Sequence, residues 1–250
     1  MEELFISPYL LALILFFVST TYSSVGLGGG TAYTALLAIF GASHRAIPPV
    51  SLTLNVVVTL VASINFIRGG HARPKLIAAF VVTSVPMAYL GGSLEVNRQL
   101  FYVILITLLL MVAARIYLWR QPAFDVDLTG RTKIALSLVI GALLGLVSGM
   151  VGIGGGIFLV PLIILLGLGD QKEAAAAGAI FIFLNSLAGL SAHAQRHLPD
   201  LMDIAPLVGA VVLGGFLGSY LSSERLDRAT IQRVLGVIVI VAAVLLMFRI

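Results

Sequence analysis

The sequence has no cysteine, one tryptophan and only 10% charged residues. Without cysteine there is no thiol nucleophile, no Cys-ligated zinc or iron–sulfur cluster and no disulfide scaffold. The shortage of charge excludes more. A soluble chain carries about a quarter charged residues, whereas here 60% of the residues are hydrophobic and the mean hydropathy is +1.10. A soluble chain of 250 residues could not cover that much apolar side chain, and a disordered one would not contain it. The composition is that of a polytopic membrane protein. Basic residues outnumber acidic ones by 15 to 11, yet they stand singly between apolar runs, with no basic stripe to follow a phosphate backbone. The lipid bilayer is the expected partner and nucleic acid is not.

Apolar runs cover 8–24, 49–67, 76–92 and 100–118 in the first half, and 134–150, 174–192, 201–221 and 231–248 in the second. Two shorter runs, 31–41 and 157–168, each follow a glycine cluster and reach about half way across a bilayer at about 1.5 Å per residue. The only long polar connection is 119–133. The expected organisation is a first repeat over 1–120, a cytoplasmic linker at 121–133 and a second repeat over 134–250. An acidic start, Met1-Glu2-Glu3, is unlike the basic n-region of a cleavable signal, so the first helix is expected to stay.

The halves match in detail. Val25-Gly-Leu-Gly-Gly-Gly recurs 126 positions later as Val151-Gly-Ile-Gly-Gly-Gly, and nearly the same offset pairs Gly41 with Gly167 and Gly91 with Gly218. An internal duplication accounts for this. With five segments per half and the N-terminus outside, cytoplasmic connections hold eleven of the fifteen Lys and Arg residues, as the positive-inside rule requires. Both termini then lie outside a multi-pass protein of the cell membrane. An odd number of segments per half makes the second half start on the opposite face, so the repeats are inverted. The predicted fold is an all-α integral membrane protein of two inverted repeats, with eight to ten transmembrane or half-length helices and glycine-broken or re-entrant hairpins. Two related halves that exchange conformations favour a transporter.

Three consecutive glycines inside a helix would cost about 1 kcal/mol each relative to alanine. A break is one way to compensate. It frees main-chain N–H groups where there is no bulk water, and the short run that follows points the positive end of its helix dipole at the same place. An anion fits such a site. Two breaks, one per half, are expected to face each other near the midplane, with the amides of Gly28, Gly29, Gly30, Gly154, Gly155 and Gly156 as donors. Ser24, Thr31, Asn55 and Asn185 are the candidate side-chain donors. The plainer reading is close helix packing, which the spacings Gly141/Gly145, Gly145/Gly149 and Gly214/Gly218 also suggest. Ser and Thr in membrane helices ordinarily bond the main chain one turn back.

No Asp or Glu falls squarely within a span, so neither a carboxylate proton relay nor a cation site is evident, and no metal or cofactor is expected. His44, His71, His193 and His197 fall near segment ends, where interfacial roles are ordinary, and Arg68 and Arg196 end equivalent segments as anchors. Ser-His-Asp, HExxH and paired-carboxylate constellations are all missing, which argues against an enzyme.

At the two glycine clusters the sequence resembles the sulfite exporter TauE/SafE family, also called TSUP transporters. The resemblance is carried by Val25-Gly-Leu-Gly-Gly-Gly, by Val151-Gly-Ile-Gly-Gly-Gly-Ile-Phe-Leu-Val-Pro161-Leu, by Asn185-Ser186-Leu-Ala-Gly189 and by a basic turn at Arg196, and covers essentially the whole chain. Ala35 stands where the second half has Pro161. The resemblance implies transport of small sulfur-containing anions such as sulfite, thiosulfate or organosulfonates, or of organic acids. The alternatives are an anion channel built on the same site and an organic-acid or metabolite exporter of the drug/metabolite-transporter type. Direction, coupling ion and any homo-oligomer stay open.

Overall fold

The computed structural model describes residues 5–24, 27–118, 130–196, 199–221 and 228–248. The linker residues 119–129 and the outermost residues of both termini lie outside that set. Ten helices follow in order: α1 (Pro8–Ser24), α2 (Gly30–Ile39), α3 (Ile47–Arg68), α4 (Pro74–Ser93), α5 (Arg98–Leu118), α6 (Gly130–Val151), α7 (Gly156–Leu165), α8 (Gln171–His193), α9 (Leu201–Leu221) and α10 (Arg228–Met247). Among the described residues there is no strand. α6 begins at Gly130, four residues before the apolar run that starts at 134.

Among the described residues, six helices, α3, α4, α5, α6, α8 and α9, are long and apolar enough to cross a membrane. α1, with 17 residues, reaches about 25 Å. α2 and α7, with ten residues each, reach about 15 Å, half of a hydrocarbon core about 30 Å thick. The distribution of polarity is that of a protein in lipid. Phe17, Val82, Leu143, Leu213 and Phe216 are exposed on the outside, while Ser51, Asn55, Thr59, Asn185 and Ser186 are completely buried. An exposed apolar surface of this kind needs an apolar solvent around it.

Helix starts follow local chemistry. Proline stands in the first turn of α3 and of α4, where its missing N–H costs nothing. α8 starts with a capping box: the Asp170 carboxylate accepts from the N–H groups of Lys172 and Glu173 at 2.8 Å, and Glu173 accepts from the Asp170 N–H at 2.9 Å.

The directions of the helices are read from contacts between them. Gly141, Gly145 and Gly149 of α6 lie in turn against the main chain of Phe80, Ser84 and Ala88 of α4, so these helices run parallel. A Cβ on Gly145 would fall 2.6 Å from the Ser84 Cα, which only close backbone approach produces. Gly214 and Gly218 of α9 meet Phe16 and Thr20 of α1 in the same way, again in parallel. The spacings read as packing motifs therefore do pack. α4 and α8 are also parallel, tied by Arg73 to Glu173 (3.1 Å) at one end and by Gln195 Nε2 donating to the Tyr89 hydroxyl (2.6 Å) at the other. α3 runs against α8: Leu52 meets Gly189, whereas Thr59, further along α3, and Ile182, further back on α8, both lie against Gly28. α3 and α8, counterparts in the two halves, thus run in opposite directions, as an inverted repeat requires. Helix contacts obey the same exchange. α1 packs on α9 as α6 packs on α4, and α3 packs on α9 as α8 packs on α4.

Candidate functional site: two glycine breaks at mid-depth

The chain is broken at both glycine clusters. α1 ends at Ser24 and α2 begins at Gly30; α6 ends at Val151 and α7 begins at Gly156. The residue before each short helix, Gly29 (φ 101°) or Gly155 (φ 77°), is left-handed, a conformation in which a side chain is strained. The two breaks are not identical in detail. Gly154 also has positive φ, whereas its counterpart Gly28 does not.

Each short helix turns back along its successor. Gly156 meets Ile182 and Val160 meets Gly178, so α7 runs antiparallel to α8. Gly30 meets Asn55, and the Thr34 hydroxyl lies 2.9 Å from that of Ser51, so α2 runs antiparallel to α3. Ile182 is the middle residue of α8. A Cβ added to Gly28 would lie 3.3 Å from Ile182 and 2.7 Å from Thr59; one added to Gly154 would lie 2.8 Å from Ile182 and 3.1 Å from the Asn55 amide. Both breaks therefore converge half way along the spanning helices, where α3 crosses α8.

Asn55, with no exposed surface, stands between them. Its Nδ2 donates to the Gly152 carbonyl (3.3 Å), while its Oδ1 has no partner. The Ser51 hydroxyl donates to the same carbonyl at 2.8 Å, and the Thr34 hydroxyl reaches Ser51. With the carbonyls taken up in this way, the donors remain. Among the described residues no hydrogen bond takes the N–H of Gly28, Gly29, Gly30 or Thr31, nor that of Ile153, Gly154, Gly155, Gly156 or Ile157. Unpaired donors and two helix N-termini make a local electropositive centre in a medium that cannot hydrate it. That arrangement can accept an anion.

The expected site residues divide as follows. Gly28, Gly29, Gly30, Gly154, Gly155, Gly156 and Asn55 come together, and Thr31 is buried in the first turn of α2. Asn185, one turn beyond Ile182 on α8, is fully buried with neither side-chain atom bonded. The Ser24 side chain lies outside the described residues. Thr20, Thr21 and Thr59 bond the carbonyls four residues back, the ordinary use of a hydroxyl in a membrane helix. Arg196 is an anchor, bonding the carbonyls of Ser93 and Leu94, and His193 Nε2 pairs with the Gly149 carbonyl at 3.1 Å. Sequence reasoning did not single out Ser51 and Thr34. Their signal was a hydroxyl on each antiparallel partner at matching distances from Gly30 and Asn55, visible only once the hairpin is assumed.

A cavity of about 180 Å³ adjoins the second break, between α5, α6 and α7. Gly155, Ile153 and Phe158 line it together with Leu108, Met111, Leu144 and Ser148, whose hydroxyl is buried without a partner. Among the described residues no cluster of three His, Asp or Glu side chains could hold a metal ion.

The chain is similar to several named transport proteins. It is 29% identical over 243 residues to the "Probable membrane transporter protein y4hK" of Sinorhizobium fredii, covering 95% of this chain and 97% of that protein. It is 25% identical over 258 residues to the "Probable membrane transporter protein YunE" of Bacillus subtilis, covering 92% and 93%, and 27% identical over 265 residues to "Probable membrane transporter protein MJ0441" of Methanocaldococcus jannaschii, covering 94% and 95%. No solved structure matches. Residues 11–246 match the family described as "Sulfite exporter TauE/SafE". With broken hairpins, counterpart helices of opposite direction and a match over nearly its whole length, this multi-pass membrane protein belongs to the sulfite exporter TauE/SafE family of transporters.

Proposed function

We propose that the protein is a secondary carrier, a permease or exporter, that moves small sulfur-containing anions such as sulfite, thiosulfate or organosulfonates by alternating access. The convergence of two sets of unpaired N–H groups at mid-depth carries this reading. The substrate is held by the amides of Gly28 to Gly30 and Gly154 to Gly156, with Thr31, Ser24, Asn55 and Asn185 as side-chain donors. The first repeat, 1–120, and the second, 134–250, rock about the shared site, joined by the linker at 121–133, with both termini outside the cell membrane. The work is transport and not catalysis.

The test is uptake of radiolabelled sulfite and thiosulfate into proteoliposomes. Gly29→Leu and Gly155→Leu each force a side chain into a left-handed position, and Gly29→Leu also meets the Tyr33 ring. Both variants are expected to reach the membrane folded and to lose at least nine-tenths of the flux. Unchanged flux in both would remove the glycine amides from the mechanism. Saturation with counterflow distinguishes a carrier from a channel, which would show neither.

A further inference from the structure

Tyr33 lies on α2, one turn after Gly29, and its ring folds back over that glycine. A Cβ on Gly29 would come within 2.5 Å of the phenol oxygen. The residue has no exposed surface, and its hydroxyl has no hydrogen-bond partner. The Ser19 hydroxyl is close enough for a weak hydrogen-bonding interaction with it, but the Ser19 proton goes to the Val211 carbonyl 2.8 Å away, and the phenol and Ser19 do not reach the length and angle of a formed hydrogen bond. A buried hydroxyl left unpaired costs about 1–3 kcal/mol. Thr20, Thr21, Thr53, Thr59 and Thr107 each avoid that cost by bonding the carbonyl four residues back. A tyrosine cannot do so, because its ring carries the oxygen away from its own main chain. Position 33 has no polar equivalent in the other half, where the same offset brings Leu159.

We propose that the Tyr33 hydroxyl is a substrate ligand, a neutral O–H donor that joins the amides of the first glycine break in holding one oxygen of the oxyanion. This rests on the carrier reading above and deepens it, because it makes the two breaks chemically different. The first offers amides and a phenol, whereas Leu159 stands at the phenol's position in the second. A phenol donates one directed hydrogen bond, so Tyr33 also fixes which end of an asymmetric anion faces the first half.

Tyr33→Phe keeps the ring and removes only the unpaired hydroxyl. The half-saturation concentration for sulfite or thiosulfate uptake is expected to rise about tenfold, the scale of one hydrogen bond to a charged group. The melting temperature of the unliganded variant is expected to stay level or rise, because an unsatisfied group has gone, while the thermal shift given by 10-fold more sulfite than the wild-type half-saturation value shrinks. Tyr22→Phe is the control: it also deletes a buried, unpaired phenol oxygen, on α1, and is expected to leave half-saturation unchanged. Wild-type half-saturation in Tyr33→Phe overturns the proposal, and so does an equal rise in both variants, which would mark a packing effect. If Gly155→Leu abolishes flux while Tyr33→Phe does not alter half-saturation, only this inference fails. If the wild type neither moves nor binds sulfite or thiosulfate, the carrier reading fails with it.

Discussion

At the second break the Gly152 carbonyl is held by Ser51 and Asn55 of α3, whereas the positions that a 126-residue offset brings opposite them on α8 are Ala177 and Phe181. The first break lies instead beside Tyr33, with Thr59 and Asn55 of its own half against Gly28 and Gly30. Duplication set the shape of both breaks, and divergence then moved nearly all of the polar fastening onto α3. The result is an asymmetric joint: α3 belongs to the first half by sequence but grips the hairpin of the second. Any motion that separates the halves must strain or break the bonds to Gly152.

Glycines also make the closest helix contacts. Gly141, Gly145 and Gly149 of α6 face α4, which answers with Gly91 against the Leu146 main chain, while Gly214 and Gly218 of α9 face α1. The first-half counterparts of the α6 glycines are Leu15, Ser19 and Ser23. Gly145→Leu should therefore produce the largest loss of stability of any change considered. Its side chain meets the Ser84 main chain, which cannot swing aside, and the cost is expected at or above about 3 kcal/mol. A fall in melting temperature by well over 10 °C, or failure to accumulate in membranes, is the expected readout. A variant as stable as the wild type would mean that α4 and α6 are not in backbone contact.

Ser51→Ala sharpens the comparison of the hairpins. It leaves the Gly152 carbonyl with the weaker Asn55 bond and leaves the Thr34 hydroxyl only its long contact to the same carbonyl (3.4 Å), at a cost of about 0.5–1.5 kcal/mol. Thermal unfolding should register that loss, and flux should fall because α7 is no longer held at its mid-depth position. If the asymmetry is real, Ala177→Ser will not mirror the effect.

The ten helices were legible because apolar runs of fixed length have few other readings, and their expected limits differ from the observed ones by a few residues. The breaks were legible too: glycines repeated before a half-length run state both the fault and its position. What could not be read was which residue grips which hairpin. Ser51 and Thr34 look like ordinary membrane hydroxyls in sequence, since the bond that matters crosses from one half to the other over 101 positions. Tyr33 reads as one aromatic among many until the ring is seen over Gly29. Asn55 and Asn185 were singled out by amide chemistry, but they are not counterparts. Asn55 aligns with Phe181, and Asn185 with Thr59.

That mismatch yields a smaller effect of opposite sign. Asn55 has a bond to lose, whereas both polar atoms of Asn185 are buried and unpaired in the unliganded protein. Asn185→Leu should leave the melting temperature unchanged or slightly raised while flux falls. Asn55→Leu should lower both. A marked loss of stability in Asn185→Leu would assign that amide a structural bond instead of a binding role.

The smallest effect lies at the entrances to α3 and α8, where the offset brings His44 opposite Asp170. Partial burial, with Arg45 and Arg98 close by, holds the His44 imidazole below its ordinary pKa. The hydrogen bond from the Glu173 N–H and, after it, that from the Lys172 N–H hold the Asp170 carboxyl below its own against an opposing desolvation that is smaller than the Glu173 bond. Both depressions make acid destabilising, but in separate windows. For His44 the unfolded chain takes up the proton more readily, so its contribution is complete above about pH 6.5 and declines as the pH falls through that value toward the folded pKa. For Asp170 the cap is complete above about pH 3.9 and is lost only as the pH falls through the still lower folded pKa. Melting temperature followed from pH 8 to pH 5 should therefore decline slightly in the wild type and less in His44→Gln, with Asp170→Asn lowering the curve without changing its slope there. A slope that follows Asp170 in that range would reverse the assignment, placing the neutral-pH sensitivity in the second half instead of the first.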